Sequence, residues 1–328
     1  MLHAVQGQLG TVSTCPPAVA LSHPVPTLST PTSCADHYQS GSVQAVTGPA
    51  YVASARRASG QALIDLQAAA RLKAQDVVAP NRLDQVLARV AELRRLPQVH
   101  VEDIGVVAGT LMSVVHLGCN DPTKPPKLRV FIAAGVHGNE AAGPAAALLL
   151  VNRLLVHPEL REGVEFAVLP VVNPTGYAAN LRLNADQHDD NRTFHCFNAP
   201  KEVKFVRAAL KRVAPDLVID LHAAVSSDGF FAIESTPTPF LDDVLKRLAA
   251  DFRVSDASRI YRRRTTGVFT SNNPGTLKGY AHAHGARWAV TLEAPYEHDY
   301  QEQVKGLEQL ARNIVAAAKR EAAAPVAA

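Results

Sequence analysis

Four short runs of nearly unbroken apolar residues constrain this chain most: 128–134 (LRVFIAA), 164–172 (VEFAVLPVV), 216–221 (DLVIDL) and 287–292 (RWAVTL). Continuous apolarity over such lengths suits strands covered on both faces. Around them apolar residues recur at helical spacing, as at Val203, Val206, Leu210 and Val213, at Leu241, Val244, Leu245 and Leu248, and at Leu307, Leu310, Ala311 and Ile314. The segment 141–156 reads as a buried core helix, too short and too interrupted by Asn152 and Arg153 to cross a bilayer. This alternation predicts an α/β fold, a three-layer α/β/α arrangement around a mixed, largely parallel central sheet.

Upstream the pattern changes. Residues 1–50 are dense in Pro, Ser, Thr, Gly and His and bury too little to offset ordering entropy, which predicts a disordered tail. Leu63 with Leu66, then Leu83, Val86, Leu87 and Val90, predict a helical extension over 51–99, leaving 100–328 as the main α/β domain. The first residues have neither the charged start nor the unbroken apolar stretch of a secretory signal. Cys15, Cys34, Cys119 and Cys196 are scattered without C-x-x-C spacing, so reduced thiols and a cytoplasmic location are expected. A net charge of +3 gives no reason to expect nucleic acid, and no membrane partner is expected either; the oligomeric state stays open.

In open α/β sheets, ligands sit beyond the carboxyl ends of the strands. His137 and Glu140 follow the first run, Asn173-Pro174 the second, His222 the third and Glu293 the fourth. Hydrolytic zinc sites take three protein ligands from His and carboxylate and leave a fourth position open. His137, Glu140 and His222 make such a set. An H-x-x-E match alone is an ordinary loop, and a lone His222 is an ordinary core-edge histidine; convergence of the strand ends is what favours one Zn2+. Glu293, directly after an apolar run, needs a partner there. It is either half of a salt bridge at the sheet edge or a general base beside the metal.

Further along, 173–194 (NPTGYAANLRLNADQHDDNRTF) carries Arg182, Asn184, Asp189 and the pair Asn191-Arg192. Taken with H-x-x-E, N-P-x-G, R-x-N, a strand-end His and T-x-E, this stretch resembles the zinc metallocarboxypeptidase superfamily over residues 100–320. That superfamily includes carboxypeptidase A-like enzymes, murein-peptide carboxypeptidases, succinylglutamate desuccinylases and aspartoacylases. The resemblance implies that His137, Glu140 and His222 bind a single zinc ion and that Glu293 is the general base and acid. Arg182 would stabilise the oxyanion, while Asn191 and Arg192 would bind the free carboxylate of a peptide or acylated amino acid. By the residues alone, Arg182 reads as a solvated loop charge, Asn191 as a turn residue and Arg192 as a partner for Asp189 or Asp190.

Departures from the family pattern bear on specificity. The stretch VFTSNNPG lacks the mobile tyrosine of carboxypeptidase A-like enzymes, DIGVVAGTLMSVV differs from the usual upstream pattern, and Asp190 stands where leucine is common. Arg262, Arg263 and Arg264 read as a solvated basic loop, or as a selector of acidic substrates. The rival activity is N-acyl-amino-acid deacylation of the desuccinylase and aspartoacylase type. Those enzymes resemble one another in a β-rich domain after the catalytic glutamate, where residues 294–328 read as one helix. A noncatalytic metal- or ligand-binding domain is the alternative of another class, and it would be expected to lack a ligand or the base.

Overall fold

The structure, a computed structural model, describes residues 77–119, 121, 123–256 and 265–324. In chain order these form α1 (Leu83–Leu93), β1 (Val99–Val107), β2 (Thr110–Leu117), β3 (Leu128–Ala134), α2 (Ala142–Val156), β4 (Val164–Leu169) and α3 (Pro174–Ala179). They continue with α4 (Lys201–Val213), β5 (Leu217–Ala224), β6 (Phe231–Glu234), α5 (Leu241–Leu248), β7 (Val268–Thr270), α6 (Leu277–Ala283), β8 (Trp288–Pro295) and α7 (Tyr300–Ala323). The expected tail over 1–50, the Leu63–Leu66 helix and Arg262 to Arg264 lie outside the described residues.

One eight-stranded sheet runs β1-β2-β4-β3-β5-β8-β6-β7. Its centre is parallel, β4 with β3, β3 with β5 and β5 with β8, while β1, β2 and β6 bring antiparallel pairings at the flanks. Alternate side chains of β3 enter different cores. Val130 and Ile132 pack beneath α2 and α7, and Phe131 and Ala133 beneath α4 and α6. Burying both faces is why these strands read as unbroken apolar runs, each large side chain contributing about 1.5–3 kcal/mol. Val86, Val90 and Leu93 of α1 belong to the first of these cores.

The observed strands differ from expectation at their ends, and the differences place the site. The second run stops at Leu169 because Pro170 has no N–H for the ladder. The third and fourth continue to Ala224 and Pro295, so His222 and Glu293 lie inside β5 and β8 rather than just past them. The ladder persists because His222 pairs with Glu293, Ala223 with Ala294 and Ala224 with Pro295. Four strands, β1, β2, β6 and β7, escaped the sequence reading. The β1–β2 hairpin turns on Ala108 (φ 47°) and Gly109 (φ 80°), a two-residue connection whose backbone twist suits the flanking strands. β6 and β7 are four and three residues long. Among the described residues, no helix is long and apolar enough to cross a membrane.

Candidate metal centre and active-site cleft

After β3 the chain turns sharply at Gly135, whose φ of 64° favours glycine. The turn that follows is pressed against the start of α3, where a Cβ on Gly138 would lie 1.9 Å from the carbonyl carbon of Gly176. Asn81 clamps the contact, its Nδ2 donating to Gly138 O (2.8 Å) and Tyr177 O (2.9 Å). The N-P-x-G motif explains itself as a helix start: Asn173 Oδ1 accepts from Gly176 N (2.8 Å), and Pro174 occupies the first turn. At the far end of α3, Asn180 is left-handed (φ 54°) and turns the chain toward Arg182.

Locked this way, the turn aims His137 and Glu140 at His222 on the neighbouring strand. Glu140 spans both imidazoles, with Oε1 2.7 Å from His137 Nδ1 and Oε2 2.8 Å from His222 Nδ1. The two Nδ1 atoms are 3.1 Å apart. All three side chains are at least nine-tenths buried, and each offers one ligand atom within 4.8 Å of the others. A tetrahedral zinc with bonds of about 2.0–2.2 Å has ligand atoms separated by about 3.4 Å. The N, N, O donor set fits that ion once its atoms, now 2.7 to 3.1 Å apart, spread to about that separation. Each imidazole is also backed by a carboxylate: His137 Nε2 lies 3.1 Å from Asp189 Oδ1, and His222 Nε2 lies 2.8 Å from Asp220 Oδ2. Such carboxylates hold the far ring proton, leave the Nδ1 lone pair facing the centre and raise its basicity.

The electrostatics follow from packing acids and imidazoles together out of water. Burial pushes the Glu140 carboxyl up, but His137 and His222 outweigh it and hold the group below the usual carboxylate range. For His222 burial favours the neutral ring, yet Asp220 and Glu140 raise it well above its ordinary value. Glu293, beside His222 across the β5–β8 ladder, is pushed up to about 7, chiefly by burial.

Arg182 leans over this centre. Its Nε and Nη2 donate to Asp189 Oδ2 (3.1 and 3.0 Å), and Nη1 reaches Glu140 Oε1 at 3.4 Å. Asp189 therefore serves His137 and Arg182, while Arg192 donates to Asn191 O (2.8 Å). The amide of Asn191 is fixed by Leu277 N, which donates to Oδ1 (2.9 Å), leaving Nδ2 near His222. All seven residues singled out in the sequence line one cleft of about 390 Å³.

The site also uses groups the sequence reading passed over, Asp220 behind His222 and Lys278 in the cleft lining. Asp220 was legible in principle, since a residue two before His222 on a strand shares its face. Lys278 carried no such signal; only the fold brings α6 against the cleft. It is 3% exposed, and burial outweighs the distant charges of Asp220 and Glu234 to draw its ammonium down to about 8.

The sequence pattern of the zinc carboxypeptidase family matches residues 91–323, and the chain belongs to that family. It is 32% identical over 156 residues to carboxypeptidase 2 of Trichophyton tonsurans, covering 45% of this chain and 29% of that protein. The chain thus spans less than a third of this relative's length. Among solved structures, one from Shewanella denitrificans OS217 superposes with a TM-score of 0.61 at 24% identity, covering 72% of this chain and 90% of that one. A metallo-carboxypeptidase from Burkholderia cenocepacia has a TM-score of 0.60 at 18% identity, covering 73% and 69% respectively. These two likenesses establish the α/β fold.

Proposed function

We propose that the protein is a zinc-dependent carboxypeptidase that hydrolyses the amide bond next to a free carboxylate. The observation that carries this reading is one cleft lined by the His137–Glu140–His222 triad, a buried carboxyl at Glu293 and the guanidinium of Arg192. His137, Glu140 and His222 would hold a single zinc ion, which when bound would supply Lewis-acid polarisation of the scissile carbonyl and acidify the attacking water. Glu293 Oε takes the proton of the attacking water and passes it to the departing nitrogen, which suits a carboxyl that titrates near neutrality. Arg182, braced by Asp189, places permanent positive charge where the carbonyl oxygen becomes anionic. Asn191 and Arg192 bind the terminal carboxylate and so select free chain ends. On this reading residues 100–328 form the catalytic domain, with 51–99 as a lead-in and 1–50 as a tail.

The test is a hydrolysis panel with zinc-loaded and chelated protein on peptides with free and amidated C-termini and on N-acyl amino acids. Turnover confined to free C-termini and lost on chelation is expected. Preference for N-succinyl or N-acetyl amino acids over peptides would reassign the protein to the deacylase branch. A second prediction concerns the carboxylates behind the imidazoles. Asp220→Asn and Asp189→Asn should each weaken zinc binding by about 10–100-fold, read by competition with a metal chelator. Unchanged affinity in both would mean the carboxylates do not orient the ligands.

A further inference from the structure

Lys278 is the buried charge in the cleft that the proposed chemistry does not use. An ammonium has three donors. Ser271 O accepts one and Ser235 Oγ, at 3.4 Å, another. Among the described residues, no side-chain carboxylate lies within ion-pair distance of Nζ. The opposite charges that act on it, Asp220 and Glu234, are engaged elsewhere. Asp220 is held by His222 at 2.8 Å, and Glu234 by Thr238 N at 2.8 Å and Thr270 Oγ1 at 3.1 Å. A buried cation without a close counter-ion is costly, and the fold keeps one facing an open cavity.

Its position relative to the reacting centre is set by the strands. Thr291 lies two residues before Glu293 on β8, on the same face and therefore about 7 Å deeper. Ile233 faces Thr291 across the β6–β8 ladder, and Ser235 N bonds Ala289 O (3.0 Å), so the Ser235–Lys278 contact sits beyond Thr291. Thr291, Ile233, Ser271 and Lys278 all line the cleft. Leu277, next to the lysine, is bonded to Asn191, which ties this depth to the terminal-carboxylate subsite. The strands thus place Lys278 deeper along the cleft than Glu293. The cleft carries Arg182, Arg192 and Lys278 against Glu140 and Glu293. A divalent ion adds to the positive side, and the terminal carboxylate answers only part of it.

We propose that Lys278 makes this cleft selective for an acidic C-terminal residue, its Nζ pairing with the side-chain carboxylate of a glutamate or aspartate. The inference rests on the carboxypeptidase reading for the chemistry, but its specificity is carried by Lys278 alone. An apolar side chain would bury the ammonium with no counter-ion, and a basic one would be repelled.

The experiment compares the zinc-loaded full chain with Lys278→Met on N-acyl dipeptides ending in Glu, Gln, Leu and Lys. Glutamine is the decisive control because it matches glutamate in shape and lacks its charge. The wild type should favour Glu over Gln by about 100-fold in kcat/KM, the range of one charge-assisted contact. In Lys278→Met that ratio should fall to near one, with circular dichroism and zinc content unchanged. A wild-type ratio at or below one, or a ratio that survives Lys278→Met, overturns the proposal. If no peptide is hydrolysed, the carboxypeptidase reading fails, and calorimetric binding of the Glu and Gln dipeptides to zinc-loaded Glu293→Gln still decides the lysine. That arm needs no functional Lys278→Met: tighter binding of the Glu peptide supports the ammonium as its partner, and equal binding rejects it.

Discussion

Replacing Glu293 by Gln should lower kcat by about 10²–10⁴-fold on a peptide with a free C-terminus, the range of a positioned general base. The substitution keeps the shape of the side chain, so β8 and its pairing with β5 should be retained, and zinc content and peptide affinity should be close to wild type. What is lost is a group able to take and return a proton at the cleft floor. Stability of the chelated protein gives an independent readout. In the fold Glu293 titrates near 7 rather than near 4.5, chiefly because it is buried. A carboxyl raised on folding contributes fully below its unfolded value, and its contribution is lost as pH rises through the folded one. Chelated wild type should therefore lose up to about 3 kcal/mol between pH 4.5 and 8 from this group, and chelated Glu293→Gln should escape that loss. Denaturant unfolding of both proteins across this range measures it. Unchanged hydrolysis in Glu293→Gln would remove the residue from the chemistry.

The strand tips were legible because the central strands are covered on both faces, which writes them into the sequence as plain apolar runs. β3 runs Leu128–Ala134, the bounds its composition suggests. For β5 and β8 the sequence reading ended just before His222 and Glu293, whereas hydrogen bonding carried the ladder past both. A polar residue at a strand end turns out here to mark the cleft wall. The flanks were harder. β1 alternates buried and exposed positions with a shift between Asp103 and Gly105, and β6 and β7 are too short to show a period. Long-range placements were not legible at all. Nothing near Lys278 announces that α6 will cover the cleft, and nothing near Asn81 announces its clamp on Gly138, 57 residues away. The part Asp189 plays was half visible, as a charge near Arg192, but its observed partners are His137 and Arg182.

Removing the metal should destabilise the protein by an amount that grows with pH. Glu140, Asp189, Asp220 and Glu293 crowd around two imidazoles, and Glu140 and Asp220 are almost wholly buried. With a divalent cation among them the negative charge is compensated at any pH. Without it, protonated imidazole is the substitute, and His222 is held charged well above its ordinary value by Asp220 and Glu140, against the opposing pull of burial. A histidine raised on folding contributes its full stability below an unfolded pKa of about 6.5, and that contribution disappears as pH climbs through the higher folded value. The chelated protein should therefore be close to the zinc form at pH 6 and fall away from it in alkaline solution, where zinc also competes with fewer protons for Nδ1. At free zinc about 1,000 times its Kd, the gap should approach about 4 kcal/mol. Unfolding of zinc-loaded and chelated samples at pH 6 and pH 9 measures it, with His222→Ala as the control that should bind less than one ion per chain. A gap indifferent to pH, or full zinc occupancy in His222→Ala, would mean that the ion is not held between these imidazoles and Glu140.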